Sequence, residues 1–209
     1  MLIAFYLFDG MTALDAVGPY DVLNRIPGVE VQTVGDGAGP KRAEGGMHLV
    51  ATIDIDQLQR PDVLVVPGGG RTIASQTKNA RLLDWVHTVH GSAQWTVSVC
   101  TGALILGAAG LLKGRRATTH WRAREFLASY GAQYVDERVV EDGSVMTCGG
   151  VTAGIDMALA LTGRLAGAAV AEAVQLSVHY DPHPFLPPLH YSDASGEVLA
   201  MINDQLGPR

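Results

Sequence analysis

The chain alternates between continuous apolar runs and longer stretches in which apolar positions recur every three or four residues. Residues 2–8 (LIAFYLF) and 62–66 (DVLVV) lack the apolar–polar alternation of a strand with one wet face, and residues 94–99 (QWTVSV) read as the next buried strand. They predict strands buried on both sides, as in a parallel sheet. Helical spacing predicts helices over residues 12–26, 79–90, 101–109, 120–131, 151–167 and 169–180, and a last one near the end of the chain. In the second of these, Leu82, Leu83, Val86 and Val89 form one stripe. Pro19 interrupts or kinks the first helix, because proline lacks an N–H and clashes with the preceding turn. Gly131 supplies a stop for the helix over 120–131.

Weaker signals fill the gaps. Residues 29–35 (VEVQTVG) and 48–53 (HLVATI) read as strands, and the glycines and proline of residues 35–46 read as a loop. Residues 138–148 (RVVEDGSVMTC) predict a hairpin turning at Asp142 and Gly143. The Pro-rich stretch 181–188 breaks the pattern before the final helix. No internal repeat or linker divides the sequence, so a single domain over residues 1–209 is expected. Strand alternating with helix predicts a three-layer α/β sandwich, flavodoxin-like, with a mostly parallel central sheet, helices on both faces and right-handed crossovers. Reactive groups in such folds gather beyond the carboxyl ends of the strands. Three segments lie there: DGMTALD (9–15), PGGG (67–70) and CTG (100–102).

Composition narrows the function classes. Hydrophobic residues make up 47% of the 209 and charged residues 17%, which is ample for a core. A net charge of −6 argues against nonspecific nucleic-acid binding. Lys113, Arg115, Arg116, Arg122 and Arg124 form the one basic knot and read as a solvated helix face. The apolar start lacks a basic leader and a cleavage site, and no apolar run approaches the ~18 residues of a membrane span. A cytoplasmic protein is expected, with Cys100 and Cys148 as free thiols.

Cys100 stands where a strand predicted to end at Val99 turns sharply into a helix. Two readings fit this position. A side chain at such a turn is presented above the sheet, and the helix N-terminus lowers a thiol pKa, which together describe a nucleophile elbow. Cysteine is also among the most buried residue types and packs as a small hydrophobe. Asp15, early in a helix, reads by itself as a cap or a dipole partner. GDGAG and PGGGRT lack the spacing of phosphate loops. His179 and His183 flank Pro182 and do not share a helical face as zinc ligands would, so no metal site is expected. His120 and Trp121 read as structural packing near the elbow.

Taken together, VPGGG, SVCTGALILGAAGLLKGRRATTHW and GGVTAGIDMALAL resemble the ThiJ/PfpI superfamily of class I glutamine amidotransferase-like domains. With TALDAVGPYDVL and QLSVHYDPHPF they are similar to its isonitrile hydratase branch, over nearly the whole chain. The block around the cysteine is shared with sensor domains of AraC-type regulators. The resemblance implies a nucleophilic Cys100, a Thr101 whose hydroxyl and N–H lie near substrate, and an acidic Asp15 beside the cysteine. It implies that Gly69 and Gly70 offer backbone donors that steady an anion, that no cofactor is needed, and that the protein is a homodimer. Proteases of the superfamily commonly carry a histidine directly after the cysteine, and here that position is Thr101, which argues against peptidase activity. Glyoxalase-type members commonly have the longer Glu at the Asp15 position.

The expected reaction is cysteine-dependent hydration of an isonitrile to an N-substituted formamide, the work of a hydro-lyase. Two other readings are a thiol-based stress protein with glyoxalase-like activity and a ligand sensor related to AraC-type regulators. The segment after residue 190 is too short for a helix-turn-helix unit with its supporting helices, which favours an enzyme.

Overall fold

The computed structural model describes residues 1–58, 60–182, 184, 186 and 189–204. Among these, seven strands form the central sheet: β1 (Leu2–Leu7), β2 (Glu30–Gly35), β5 (Ile53–Asp54), β6 (Val63–Val66), β7 (Trp95–Val99), β10 (Val139–Asp142) and β11 (Val145–Cys148). Two small pairs lie outside it: β3 (Gly39–Arg42) with β4 (His48–Ala51), antiparallel, and β8 (Arg116–Ala117) with β9 (Gln133–Tyr134), parallel. The helices are α1 (Ala13–Leu23), α2 (Ile73–Gln76), α3 (Ala80–His90), α4 (Gly102–Ala108), α5 (Arg124–Ser129), α6 (Ala153–Ala166), α7 (Ala168–Ser177) and α8 (Gly196–Asp204).

The sheet order is β10-β11-β7-β6-β1-β2-β5. All pairings are parallel except β10 with β11. The three strands read as buried runs, β1, β6 and β7, are adjacent in the middle. Their alternate residues feed two separate cores. Ala4, Tyr6, Leu64 and Val66 pack with Leu82, Val86, Ile105 and Leu127 of α3, α4 and α5. Ile3, Phe5, Val63, Val65, Val97 and Val99 pack with Val22, Met157 and Leu161 of α1 and α6 and with Val174 of α7. Helices therefore cover both faces of a flavodoxin-like sheet, which explains the missing alternation: each strand has two dry sides.

The chain leaves β1 toward β2 and returns to the other side of β1 as β6. This reversal is a topological switch point, and it opens a crevice at the carboxyl ends of β1 and β6. The start of α1, the loop after β6 and the turn after β7 all face it.

Several expectations are corrected. The loop over 35–46 contains β3, whose register Gly39↔Ala51 to Arg42↔His48 makes a hairpin with β4. Gly39, at φ 122°, and Gly37, at φ 81°, shape its entry rather than leaving it irregular. The single strand expected over 48–53 is split between that hairpin and the sheet edge, where β5 pairs with β2. The helix over 120–131 is a 3₁₀ turn (Trp121–Ala123) followed by the short α5. The β10–β11 turn lies at Gly143 and Ser144, one residue later than expected, with Gly143 at φ 63°. α1 ends at Leu23, and Pro19 sits inside it. The basic knot is not one helix face: Arg115 pairs with Asp142, Arg116 with Glu137, and Arg122 donates to Asn203.

Gly102 fixes how α4 meets the sheet. A Cβ there would lie 2.3 Å from the Val66 carbonyl oxygen and 2.8 Å from that of Pro67. Gly102→Ala is expected to lower stability by about 1–3 kcal/mol, because backbone rather than a pliable side chain must give way. Urea unfolding monitored by circular dichroism measures this.

Candidate active site

Cys100 leaves β7 and enters α4 with φ 57°, a conformation that side-chain-bearing residues rarely adopt. The strain is of the order expected of residues held for function, about 1–3 kcal/mol. It is stabilised locally: the Cys100 N–H donates to the Gly149 and Cys148 carbonyls at 2.9 and 3.2 Å, and the Thr119 hydroxyl donates to the Cys100 carbonyl at 2.9 Å. The nucleophile elbow is therefore present. The residue is only 5% exposed, and both cysteines are free.

Asp15, the third residue of α1, lies beside this thiol and is fully buried. Its Oδ2 accepts from the Gly68 N–H at 3.0 Å, while Oδ1 has no hydrogen-bond partner. Burial chiefly pushes the Asp15 pKa up, to about 7, and the Gly68 N–H and the thiol only partly offset this. Burial and the neighbouring carboxylate also push the Cys100 thiol up, despite N–H groups of Val151 and Thr101 that favour its anion. This corrects the expectation of a thiol pKa lowered by the helix N-terminus. Desolvation dominates here, and α4 is a short helix of seven residues. The resting site thus holds a protonated thiol against a carboxyl that is half ionised near neutrality.

Thr101 faces the glycine loop. Its Oγ1 donates to the Gly69 carbonyl at 2.7 Å and accepts from the Gly69 N–H at 2.9 Å. Gly69 therefore spends its donor on Thr101. The Gly70 carbonyl accepts from the Ile73 N–H at 3.3 Å. The donors placed on the reacting groups are instead Gly68, on Asp15, and Thr101 and Val151, on the Cys100 sulfur. Gly68 and Val151 are the residues that sequence reasoning missed. Both lie in segments it had quoted, VPGGG and GGVTAGID. At Gly68, a Cβ would lie 2.6 Å from the Thr101 nitrogen and 2.9 Å from Asp15 Oδ2, so only glycine lets these three segments meet.

Around this centre, His120 packs its ring on Trp121, 5.6 Å between centroids, and its Nδ1 accepts from the Arg122 N–H. It also lies against Gly150, so it lines the far side of the elbow without entering it. A cavity of about 430 Å³ opens next to it, with Thr119 and Gly150 at its inner wall and Trp121, Tyr191, Leu199 and Ile202 among its apolar lining. Among the described residues, no group of three or more His, Cys, Asp or Glu is placed to hold a metal ion, and His183 lies outside those residues. No helix among them is long and apolar enough to cross a membrane.

Comparison with known proteins places this geometry. The profile of the DJ-1/PfpI family matches residues 1–163. The isonitrile hydratase of Pseudomonas putida is 43% identical over 182 residues, covering 87% of this chain and 79% of that protein. The transcriptional regulator CdhR of Pseudomonas aeruginosa is 32% identical over 83% of this chain, which spans 52% of the regulator. The crystal structure of a ThiJ/PfpI family protein from Pseudomonas syringae superposes with a TM-score of 0.93 at 36% identity, covering 97% of this chain and 84% of that one.

Proposed function

Because the chain belongs to the DJ-1/PfpI family, we propose that its elbow cysteine serves the reaction named for its Pseudomonas putida relative, hydration of an isonitrile to an N-substituted formamide. The observation that carries this reading is a thiol and a buried carboxyl sharing protons at a strand-to-helix turn, in a chain 43% identical to an isonitrile hydratase.

The chemistry follows from the pair. Asp15 takes the thiol proton as the Cys100 sulfur bonds to the terminal carbon of R–N≡C. The same carboxyl then delivers that proton to the carbon, giving the thioimidate R–N=CH–S–Cys100. Asp15, ionised again, removes a proton from water as the water oxygen adds to this carbon. Asp15 passes that proton to the nitrogen, the adduct R–NH–CH(OH)–S–Cys100 collapses to R–NH–CHO as the C–S bond breaks, and the hydroxyl proton returns to the Cys100–Asp15 pair. Atoms balance as R–N≡C plus water, and no electron is gained or lost. N–H groups of Thr101 and Val151 face the sulfur while it carries charge, and the Thr101 hydroxyl holds the Gly69 loop against the site.

The cavity bounded by Thr119 and Gly150 adjoins groups bonded to Cys100, and its lining mixes apolar side chains with Asp136, Glu137, Arg138 and His190. We also propose that the protein works as one domain, as a cytoplasmic homodimer without a cofactor. The family resemblance and the two free thiols support this.

The test is incubation of the protein with cyclohexyl isocyanide, following the N-formamide by chromatography beside a methylglyoxal assay. Formamide is expected to form at a rate far above the buffer blank, with no comparable consumption of methylglyoxal. The reverse preference overturns the assignment.

A further inference from the structure

The β3–β4 hairpin, whose first strand and closing turn read from sequence as a loop, reaches the active site. Its closing turn docks on the segment between β1 and α1: the Gly10 N–H donates to the Arg42 carbonyl, and the Glu44 N–H donates to the Met11 carbonyl at 3.0 Å. This places the Glu44 side chain over the start of α1. Its Oε2 accepts from the Thr12 hydroxyl at 3.2 Å, and its Oε1 is buried with no hydrogen-bond partner. Thr12 in turn donates its N–H to the Gly68 carbonyl, and Gly68 donates to Asp15. A second carboxyl group is thus linked through Thr12 and Gly68 to the first.

We propose that Glu44 is a positioning residue for Asp15: its carboxyl group, anchored on Thr12 at the start of α1 and linked to Asp15 through Gly68, is a second acidic group that sets the charge environment of the buried carboxyl. The role as a proton carrier in hydration rests on the function proposed above, but the charge relation does not.

Two observations support the assignment besides the bonds. The oxygen of Asp15 left without a donor and that of Glu44 left without a donor are both buried at this one end of the sheet. Glu44 also acts on Asp15 in the direction of proton retention, as like charges in a poorly solvated site must. The titratable groups bearing on Asp15 come from each element around it: Cys100 from the β7–α4 turn, Cys148 from β11, and Glu44 from the hairpin. Of these, Glu44 is the one whose charge can change without touching the thiol. Raising the basicity of Asp15 suits the second half-reaction, in which a carboxylate must take a proton from water.

The test is the pH dependence of Cys100 alkylation by iodoacetamide, a readout independent of the substrate, beside the pH profile of kcat/KM on cyclohexyl isocyanide. In Glu44→Gln, where the amide oxygen still accepts from Thr12, the acid limb of both profiles is expected to move down by roughly half a unit to one unit. kcat at pH 8 falls several-fold while KM changes little, and Glu44→Asp, which keeps the charge, returns the limb toward its original place. Glu44→Ala gives the same displacement if the buried amide prevents folding. Alkylation limbs that superimpose on the wild type in both Glu44→Gln and Glu44→Ala overturn the proposal. Wild-type protein that turns over no isonitrile, yet shows the alkylation shift, overturns the assigned reaction and leaves the role of Glu44 standing.

Discussion

Cys100→Ala is expected to lose isonitrile turnover by a factor of at least about 10⁴, the scale on which removal of a nucleophile acts when no other group can replace it. The sulfur forms the only covalent bond from protein to substrate in the proposed sequence, and the other cysteine cannot stand in. Cys148 is buried within β11, and burial pushes its thiol well above the usual range. The variant is expected to fold, because alanine fills most of the same space and the elbow is held through the backbone of residue 100, whose N–H donates to the Cys148 and Gly149 carbonyls and whose carbonyl accepts from the Thr119 hydroxyl, rather than by the sulfur. Circular dichroism and a formamide assay on the same sample separate the two effects. A folded Cys100→Ala protein that retains more than a few per cent of turnover removes the cysteine from the mechanism.

The second large effect is at Asp15. Asp15→Asn is expected to lower kcat by roughly 10²–10⁴, the usual worth of a positioned acid–base group. Its distinguishing sign is in the pH profile. Three proton states of the Cys100–Asp15 pair matter: two protons, one, and none. Only the one-proton state has both a thiol to activate and a base to activate it, so wild-type kcat/KM rises as the pair loses its first proton. The raised pKa of Asp15 puts that limb near pH 7, and the upward-shifted thiol puts the loss of the second proton far into the alkaline range. Asparagine cannot titrate, so its residual activity is expected to lack the limb near 7 and to follow only the thiol. An unchanged limb in Asp15→Asn assigns it to another group.

The architecture was legible because buried parallel strands announce themselves. Residues 2–8 and 62–66 are apolar on both faces, residues 94–99 carry Thr96 and Ser98 buried on one of theirs, and the three form the middle of the sheet with helices on each side. The place of Cys100 at a strand-to-helix turn was legible because it follows a strand run directly and precedes small residues, of which Gly102 lets α4 approach the Val66 and Pro67 carbonyls; its role as a nucleophile came only with the family resemblance. The hairpin that carries Glu44 was not. Its second strand falls within the run 48–53 that reads as a strand, but its first is four residues long and opens on Gly39 and Pro40 inside a stretch whose composition reads as a loop, so the hairpin itself is not marked. Their pairing depends on docking to the chain after β1, which is a tertiary effect.

The anion donors illustrate a finer limit. The family resemblance implied donors at Gly69 and Gly70. Which N–H points where depends on Thr101, whose hydroxyl engages both polar groups of Gly69 and leaves Gly68 to Asp15. Val151 supplies the other donor from a turn with φ 21°, a strained geometry for a β-branched residue that no residue type predicts. The upward shift of the Cys100 thiol was hidden for a related reason. The helix N-terminus is visible in sequence, but the depth of burial that outweighs it is a property of two packed layers.

The most direct test of the central claim is rapid-quench mass spectrometry of the wild-type protein under saturating cyclohexyl isocyanide, with peptide mapping of any adduct. The account predicts a transient species heavier by one substrate molecule, mapped to the peptide bearing Cys100 and absent from Cys100→Ala. Steady formamide production with no adduct at Cys100 at any time point would contradict covalent catalysis by this thiol.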